Sequence, residues 1–527
     1  MTNRLFNWNA PEVERGLEVV SKLRRPMLER LKLHLDEYHG TSRSFEYYDL
    51  IAGIWLEAFT QNVYTSWREV VEGNLPGPTV PTTLIKCVPH FFHMRNQSGW
   101  HLQLRKAIYR LLQSKRVSNW EISQDKAEIT VGNQNKRNKL KLSILSFSSN
   151  RPKVLLTAPG FRCSNKQQLS TLWRWRDWVS QDDLNYHQSV FIQADCLWRK
   201  TKSLEADDQS GSFDSIVKSL LPLYIPAEFL EGFAKIRSSI LKLPISRPNC
   251  IFSSSALHDN TNFKFLAAEW RDEGTKLLYH QHGGGYGIEK DLTIENSEIR
   301  LSDQFFSWGW TKGDAKVTPL SPAMSFLPRK PRGHRILFQT LDMPQVPYKL
   351  IFNPMNREVE AMHREAEVFL RELPVSTSIT IRPYPFDFGW GSADRMKNAA
   401  AHAQFDNSTL NSFERYQQFS IVVLNYLGTS WLETIGVGIP TICFYDPAIW
   451  IFREESTPYI EALLSTGVLH HSGKAAANFI KSLGDDVEGW WNNYEVREAC
   501  NSFRTKYANF SPEWEKQWEN EFSKFID

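Results

Sequence analysis

Apolar residues in the first 145 positions recur mostly with helical spacing, whereas beyond position 150 they gather into short runs separated by amphipathic stretches. Met27, Leu28, Leu31 and Leu35 share one face after Pro26, a residue that a first helical turn tolerates, so a helix opening near Pro26 is expected. A second amphipathic stretch, 102–112, sets Leu104, Ile108, Leu111 and Leu112 against Arg105, Lys106 and Arg110. After position 150 the alternation predicts parallel sheets with crossover helices. Strands are expected at 154–156, 190–193, 251–252, 276–279 and 305–308, with a helix at 260–271. The stretch 311–334 is rich in Pro, Lys and Gly and without apolar periodicity, and reads as a linker. A second α/β unit follows, with strands at 335–339, 378–382, 420–424 and 440–444 and helices near 356–371 and 430–437. The most apolar window, 421–445, is long enough to cross a bilayer, but Asn425, Glu433, Gly436, Gly438 and Pro440 interrupt it, so strand, helix and strand explain it better.

A chain of 527 residues exceeds what one hydrophobic core organises, so several domains and a cleft between them are expected. The division predicted is a mostly helical region at 1–145 joined to a first Rossmann-like unit at 146–320, a second at 335–485, and helices at 486–527 that pack back. Large-scale disorder is excluded by 41% hydrophobic and 23% charged residues without low-complexity tracts. The net charge of +3 lacks the basic excess of a nucleic-acid binder. Cys87, Cys163, Cys196, Cys250, Cys443 and Cys500 form no CxxC pair, which suits buried thiols in a reducing compartment. The first 16 residues lack a signal peptide's apolar core, so a cytoplasmic location is expected. Lys106, Arg110, Lys115, Arg116, Lys136, Arg137, Lys139 and Lys141 offer either a basic surface for peripheral contact with the membrane or a solvated face.

Three segments that leave predicted strands carry candidate chemistry. In His280-Gln281-His282-Gly283-Gly284-Gly285-Tyr286-Gly287, clustered glycines let backbone amides converge on an anion at a sheet's carboxyl edge, and His282 is placed to take a proton from a hydroxyl. Two packed histidines beside a tight turn are the plainer reading. In Asn425-Tyr426-Leu427-Gly428-Thr429-Ser430-Trp431-Leu432-Glu433, Thr429 or Ser430 is expected to cap a helix whose free amides face a phosphate. Glu433 is read either as reaching a sugar hydroxyl or as a capping partner. In the loop from Arg382 to Trp390, Arg382 offers a phosphate clamp or a salt bridge, and Tyr384 or Trp390 a stacking ring. Asp446, at the end of another strand, is a ligand contact or a turn residue. The P-loop and GxGxxG patterns are absent, which removes the specific case for a kinase or a dehydrogenase.

HQHGGGYG (280–287), SDQFFSWGW (302–310), the 382–390 loop and NYLGTSWLETIGVGIPTICFYDP (425–447) together resemble the transferases of bacterial O-antigen and surface-carbohydrate gene clusters. The resemblance runs from Tyr47-Tyr48 and Gly53-Ile54-Trp55-Leu56 to the helix after Gly467. It implies an α/β, GT-B-like fold of two facing Rossmann-like domains, and a glycosyltransferase moving a sugar from a nucleotide-sugar donor to a lipid-linked saccharide at the cytoplasmic membrane face. On this reading His282, Arg382 and Glu433 are catalytic, and Gly283, Gly284, Gly285, Gly428, Thr429, Ser430, Tyr384 and Asp446 hold the donor. No cofactor and no metal are expected to be required, since helix N-termini and arginine can offset the leaving group's charge and no Asp-x-Asp argues for a metal. A broader similarity to capsule-type and glycerophosphate-type polymerases leaves a CDP-polyol phosphotransferase open. A non-catalytic carbohydrate-binding or scaffold protein of the same pathway is the alternative outside enzymes.

Overall fold

The structure is a computed structural model that describes residues 8–73, 98–113, 126–132, 153–326 and 335–526, apart from 182–183, 185–186, 244, 346–348, 356, 407, 409 and 411. A 30-residue helix, Ala10–His39, opens the chain with the Asn9 side chain capping it. Pro26 lies inside this helix and does not start it. The apolar stripe continues on both sides of it, with Val13, Leu17 and Val20 buried before it and Met27, Leu28, Leu31 and Leu35 after; tertiary packing overrides the proline. Helix Ser98–Leu112 buries Leu104 and Ile108, while Arg105 turns inward to Glu69. Lys115, Arg116 and the basic run at 136–141 lie outside the described residues.

The strands are β1 (Ala127–Gly132), β2 (Val154–Leu156), β3 (Val179–Gln181), β4 (His187–Ile192), β5 (Cys250–Ser253), β6 (Lys276–His280), β7 (Gln304–Ser307) and β8 (Val317–Pro319) in the first half. The second half adds β9 (Ile336–Gln339), β10 (Ile379–Arg382), β11 (Gln404–Phe405), β12 (Ile421–Leu424), β13 (Thr441–Phe444) and β14 (Leu469–His470). One six-stranded sheet has the order β3-β2-β5-β6-β7-β8 and the other β11-β10-β9-β12-β13-β14. Every pairing within both is parallel. Each begins in its interior and then reverses the direction in which strands are added, which opens a crevice between β2 and β5 and another between β9 and β12. Two doubly wound parallel sheets in one chain make an α/β, GT-B-like fold.

Two further expectations need correction. The run at 190–193 belongs to β4, which pairs antiparallel with β1 in a separate ribbon and not with the parallel sheet. The supposed linker at 311–334 contains β8, an edge strand on β7 whose short VTP run is too small to show a period; 327–334 lie outside the described residues.

Strands β5, β12 and β13 are buried along their whole length because helices cover both faces of the sheets, and their sequences are correspondingly continuous in apolar residues. One outer face packs Trp514, Trp518 and Phe522 of the last helix on Phe252 and Leu156 of the first sheet. The helix before it, Tyr494–Tyr507, sets Phe503 against Trp431 of the second domain with ring centroids 4.7 Å apart. The C-terminal helices therefore tie the two domains together from behind. Among the described residues no helix is long and apolar enough to cross a membrane.

Candidate functional site

The carboxyl ends of the two sheets meet. After β6 the chain continues its ladder for one residue, Gln281 N donating to Phe306 O at 2.8 Å, and then turns through the glycines. The buried Gln281 side chain fixes that turn: its amide donates to Gly283 O, while its carbonyl accepts from Trp308 N and Trp310 Nε1, all within 2.9 Å. Gly285 (φ 88) and Gly287 (φ 71) occupy left-handed conformations that L side chains rarely adopt. Gly284 serves a different need. A Cβ there would stand 2.3 Å from the carbonyl carbon of Gly428, so the two domains touch backbone to backbone. Gly284 N donates to Thr429 Oγ1 at 3.2 Å across this contact.

On the other side, β12 leads into helix Thr429–Gly436, whose N-cap is Gly428 without a side-chain cap bond, and not Thr429 or Ser430 as expected. Both hydroxyls have other partners: Thr429 accepts from Gly284, and Ser430 accepts from Gln339 at 2.8 Å and from Tyr426 at 2.7 Å. Glu433 lies past the first turn and pairs with Arg162 Nε at 2.8 Å. Arg162, unremarkable in sequence, is the hub of the contact. It also donates to His282 O at 2.6 Å and lies 4.9 Å over the Trp308 ring. Its signal was the Ala-Pro-Gly turn after β2, where Ala158 (φ 44) and Gly160 (φ 72) carry the chain to the same rim.

His282 keeps 28% of its side chain exposed and turns Nδ1 toward Glu298 Oε1 at 3.3 Å and the Tyr286 hydroxyl at 3.2 Å. Glu298 is wholly buried and also meets His258 Nε2 at 2.5 Å and the Tyr286 hydroxyl at 2.8 Å. Burial pushes its carboxyl up, but the facing histidines outweigh this and hold it below its ordinary value. Glu298 was missed by sequence reasoning although it repeats with Ile294 and Leu301 at helical spacing, an acid in line with two apolar residues.

A second clasp lies beside the first. Arg453 forks onto Glu295 at 2.8 and 2.9 Å and donates through Nε to Glu289 O, joining the loop after β13 to the loop after the glycines. Glu289 is buried under Gly285, and burial drives its carboxyl up to about 7.

The remaining candidates are placed apart. Arg382 ends β10, two strands from β12, and is held by Asp406 at 2.7 Å and Leu410 O at 3.0 Å. The structure therefore does not bring it to His282. Tyr384 stands half-buried among Phe386 and Phe388 in the same loop, and Trp390 donates to Met343 O. Asp446 makes a turn by accepting from Ala448 N at 2.9 Å, and with Asn425, Tyr445, Trp450 and Ser472 it lines a cavity of about 220 Å³ at the ends of β12 to β14. Asn425 is 1% exposed, and its Nδ2 has no hydrogen-bond partner among the described residues. No cluster of three or more metal-binding side chains occurs among the described residues.

The sequence matches the family described as LIC12162 family transferase over residues 7–522. No curated protein matches it. Among solved structures it is similar to TarM (11% identity, TM-score 0.36, 55% of this chain and 58% of that one) and to the MurG of Acinetobacter baumannii (12% identity, TM-score 0.37, 71% and 99%). It is also similar to the pneumococcal O-GlcNAc transferase GtfA in complex with UDP and GlcNAc (12% identity, TM-score 0.34, 55% and 60%). The chain thus spans less than two thirds of the length of TarM and of GtfA.

Proposed function

The chain belongs to the LIC12162 family of transferases, and on that premise we propose that it moves a glycosyl group from a nucleotide-sugar donor to a growing, lipid-linked surface saccharide. The observation that carries this reading is the meeting of the two sheet rims at Gly284 and Thr429, with the partly exposed His282 ring beside the contact. His282 Nε2 would take the proton from the acceptor hydroxyl as its oxygen attacks the donor. The free amides of helix Thr429–Gly436 would face the departing phosphate. Because the rims touch, the donor would lie alongside the contact, where the cavity around Asn425 and Asp446 opens and the Asn425 amide can donate to it. Arg162 is the guanidinium next to His282; for Arg382 to offset the leaving charge, it would have to exchange its pair with Asp406 for the donor. We place the reaction at the inner face of the cytoplasmic membrane, where a lipid-linked acceptor would be presented.

A thermal-shift panel of UDP, GDP, CDP, CMP and dTDP tests the donor side, since a ligand that binds only the folded chain raises its melting temperature. One nucleoside diphosphate raising Tm well above the others supports the reading. No response to any of them contradicts it.

A further inference from the structure

Three other buried glutamates are matched by arginines: Glu57 meets Arg24 and Arg300, Glu269 meets Arg237, and Glu295 meets Arg453. Glu298 is as deeply buried, yet its partners are two imidazoles and a phenol. An acid serving only to hold helix Thr293–Leu301 would be better matched by a permanent cation.

Resting on the functional reading above, we propose that Glu298 is a positioning residue that holds His282 in the tautomer protonated on Nδ1, so that the lone pair of Nε2 faces the cleft. The argument is a count of protons. Tyr286 has one hydroxyl proton, and burial together with the Glu298 charge keeps it in place by raising its pKa well above the ordinary value. That proton goes to Glu298 Oε2 at 2.8 Å. The tyrosine oxygen can then only accept from His282 Nδ1 at 3.2 Å, and Glu298 Oε1, 3.3 Å from the same nitrogen, is a pure acceptor when ionised. Both neighbours of Nδ1 thus require a proton on it. His258 donates through Nε2 to the same oxygen, which completes the acceptor set of the buried carboxylate. The arrangement has the logic of a base oriented by a third group: the carboxylate fixes the imidazole in place and stabilises it once it has accepted a proton on Nε2.

The test uses the full chain labelled with nitrogen-15 histidine, with His282 assigned by comparison with His282→Gln, at a pH where its ring is neutral. The expected spectrum shows a protonated Nδ1 and a bare Nε2; a proton on Nε2 would overturn the proposal whether or not the protein transfers sugar. With the preferred donor and a glycan acceptor, Glu298→Gln is expected to lower kcat by about 100-fold or more while leaving KM for the donor within about threefold. A Glu298→Gln protein that melts like the parent and keeps its kcat overturns the proposal as well. A chain with the expected tautomer but no glycosyl transfer would refute the functional reading and leave the Glu298 assignment standing.

Discussion

Replacing Gly284 by alanine perturbs the contact between the domains and little else. The added methyl carbon would lie 2.3 Å from the Gly428 carbonyl carbon, 2.5 Å from its oxygen and 2.8 Å from Thr429 N, all backbone atoms that cannot swing away. Carbon atoms in ordinary contact stand about 3.5 Å apart, so the rims must separate by roughly 1 Å. Overpacking of this kind costs about 1–3 kcal/mol, and loss of the Gly284–Thr429 hydrogen bond about 1 more. Together these disfavour the closed arrangement by about 2–4 kcal/mol, or roughly 30- to 1000-fold in its population. Each domain keeps a packed outer core of its own, so the variant still folds. Small-angle scattering should show a larger radius of gyration, and transfer activity should fall by about 100-fold. At Gly283 the nearest atom to an added Cβ is the Thr429 hydroxyl at 3.0 Å, which can rotate, so Gly283→Ala should lose about tenfold or less. A Gly284→Ala protein with parental scattering and parental activity would refute the reasoning, because the domain contact would then be incidental.

Arg162→Met leaves Glu433 half-buried without its partner, and the melting temperature should drop by several degrees; adding Glu433→Gln should recover part of the loss, whereas additive losses in this double-mutant cycle would show that the pair is uncoupled. Burial raises the carboxyls of Glu289 and Glu358 to about 7, so the folded chain holds protons there that the unfolded chain releases near its ordinary carboxylate pKa. The contribution of these two carboxyls to stability should therefore fall as pH rises from about 5 through 7, by up to about 1.4 kcal/mol per pH unit for each group. The buried His34, His280 and His470, driven down to about 4, 3 and 4, contribute the opposite slope up to about pH 7.5, so urea midpoints at pH 6.5 and 8 are compared between the parent and Glu289→Gln, to which the histidine contribution is common. Glu289→Gln should remove one carboxyl's share of the loss over that interval, and a change identical to the parent's would contradict the assignment. Arg382→Ala should lower the melting temperature by leaving Asp406 with Arg415 alone; unchanged melting would show that the Asp406 pair has no structural weight.

The α/β pattern was legible wherever a strand is both buried and bounded by turn residues. The runs IVVL and TICF are continuous in apolar residues because helices cover both of their faces, and the glycine, asparagine and proline residues that follow mark the rims. Strands β8, β11 and β14 have only two or three residues at or near sheet edges, too few to show any period. At the site, His282 and Thr429 were visible because glycines surround them, although the glycines answer to a close approach of two backbones as much as to an anion. Arg162, Glu298 and His258 were not visible as a group: they lie on three separate segments, after β2, in helix Thr293–Leu301 and after β5, and only the packing of those elements brings them to one rim. Arg382 had the composition of a clamp, and its commitment to Asp406, 24 positions away, could not be read from spacing.

The central claim is transfer of a sugar with His282 as the base. Purified protein should be incubated with nucleotide sugars and a saccharide acceptor and the product weighed by mass spectrometry. The account predicts a gain of one sugar residue without phosphate, abolished in His282→Ala while the melting temperature stays near that of the parent. A product that carries phosphate with the transferred group, or undiminished transfer by His282→Ala, would contradict it.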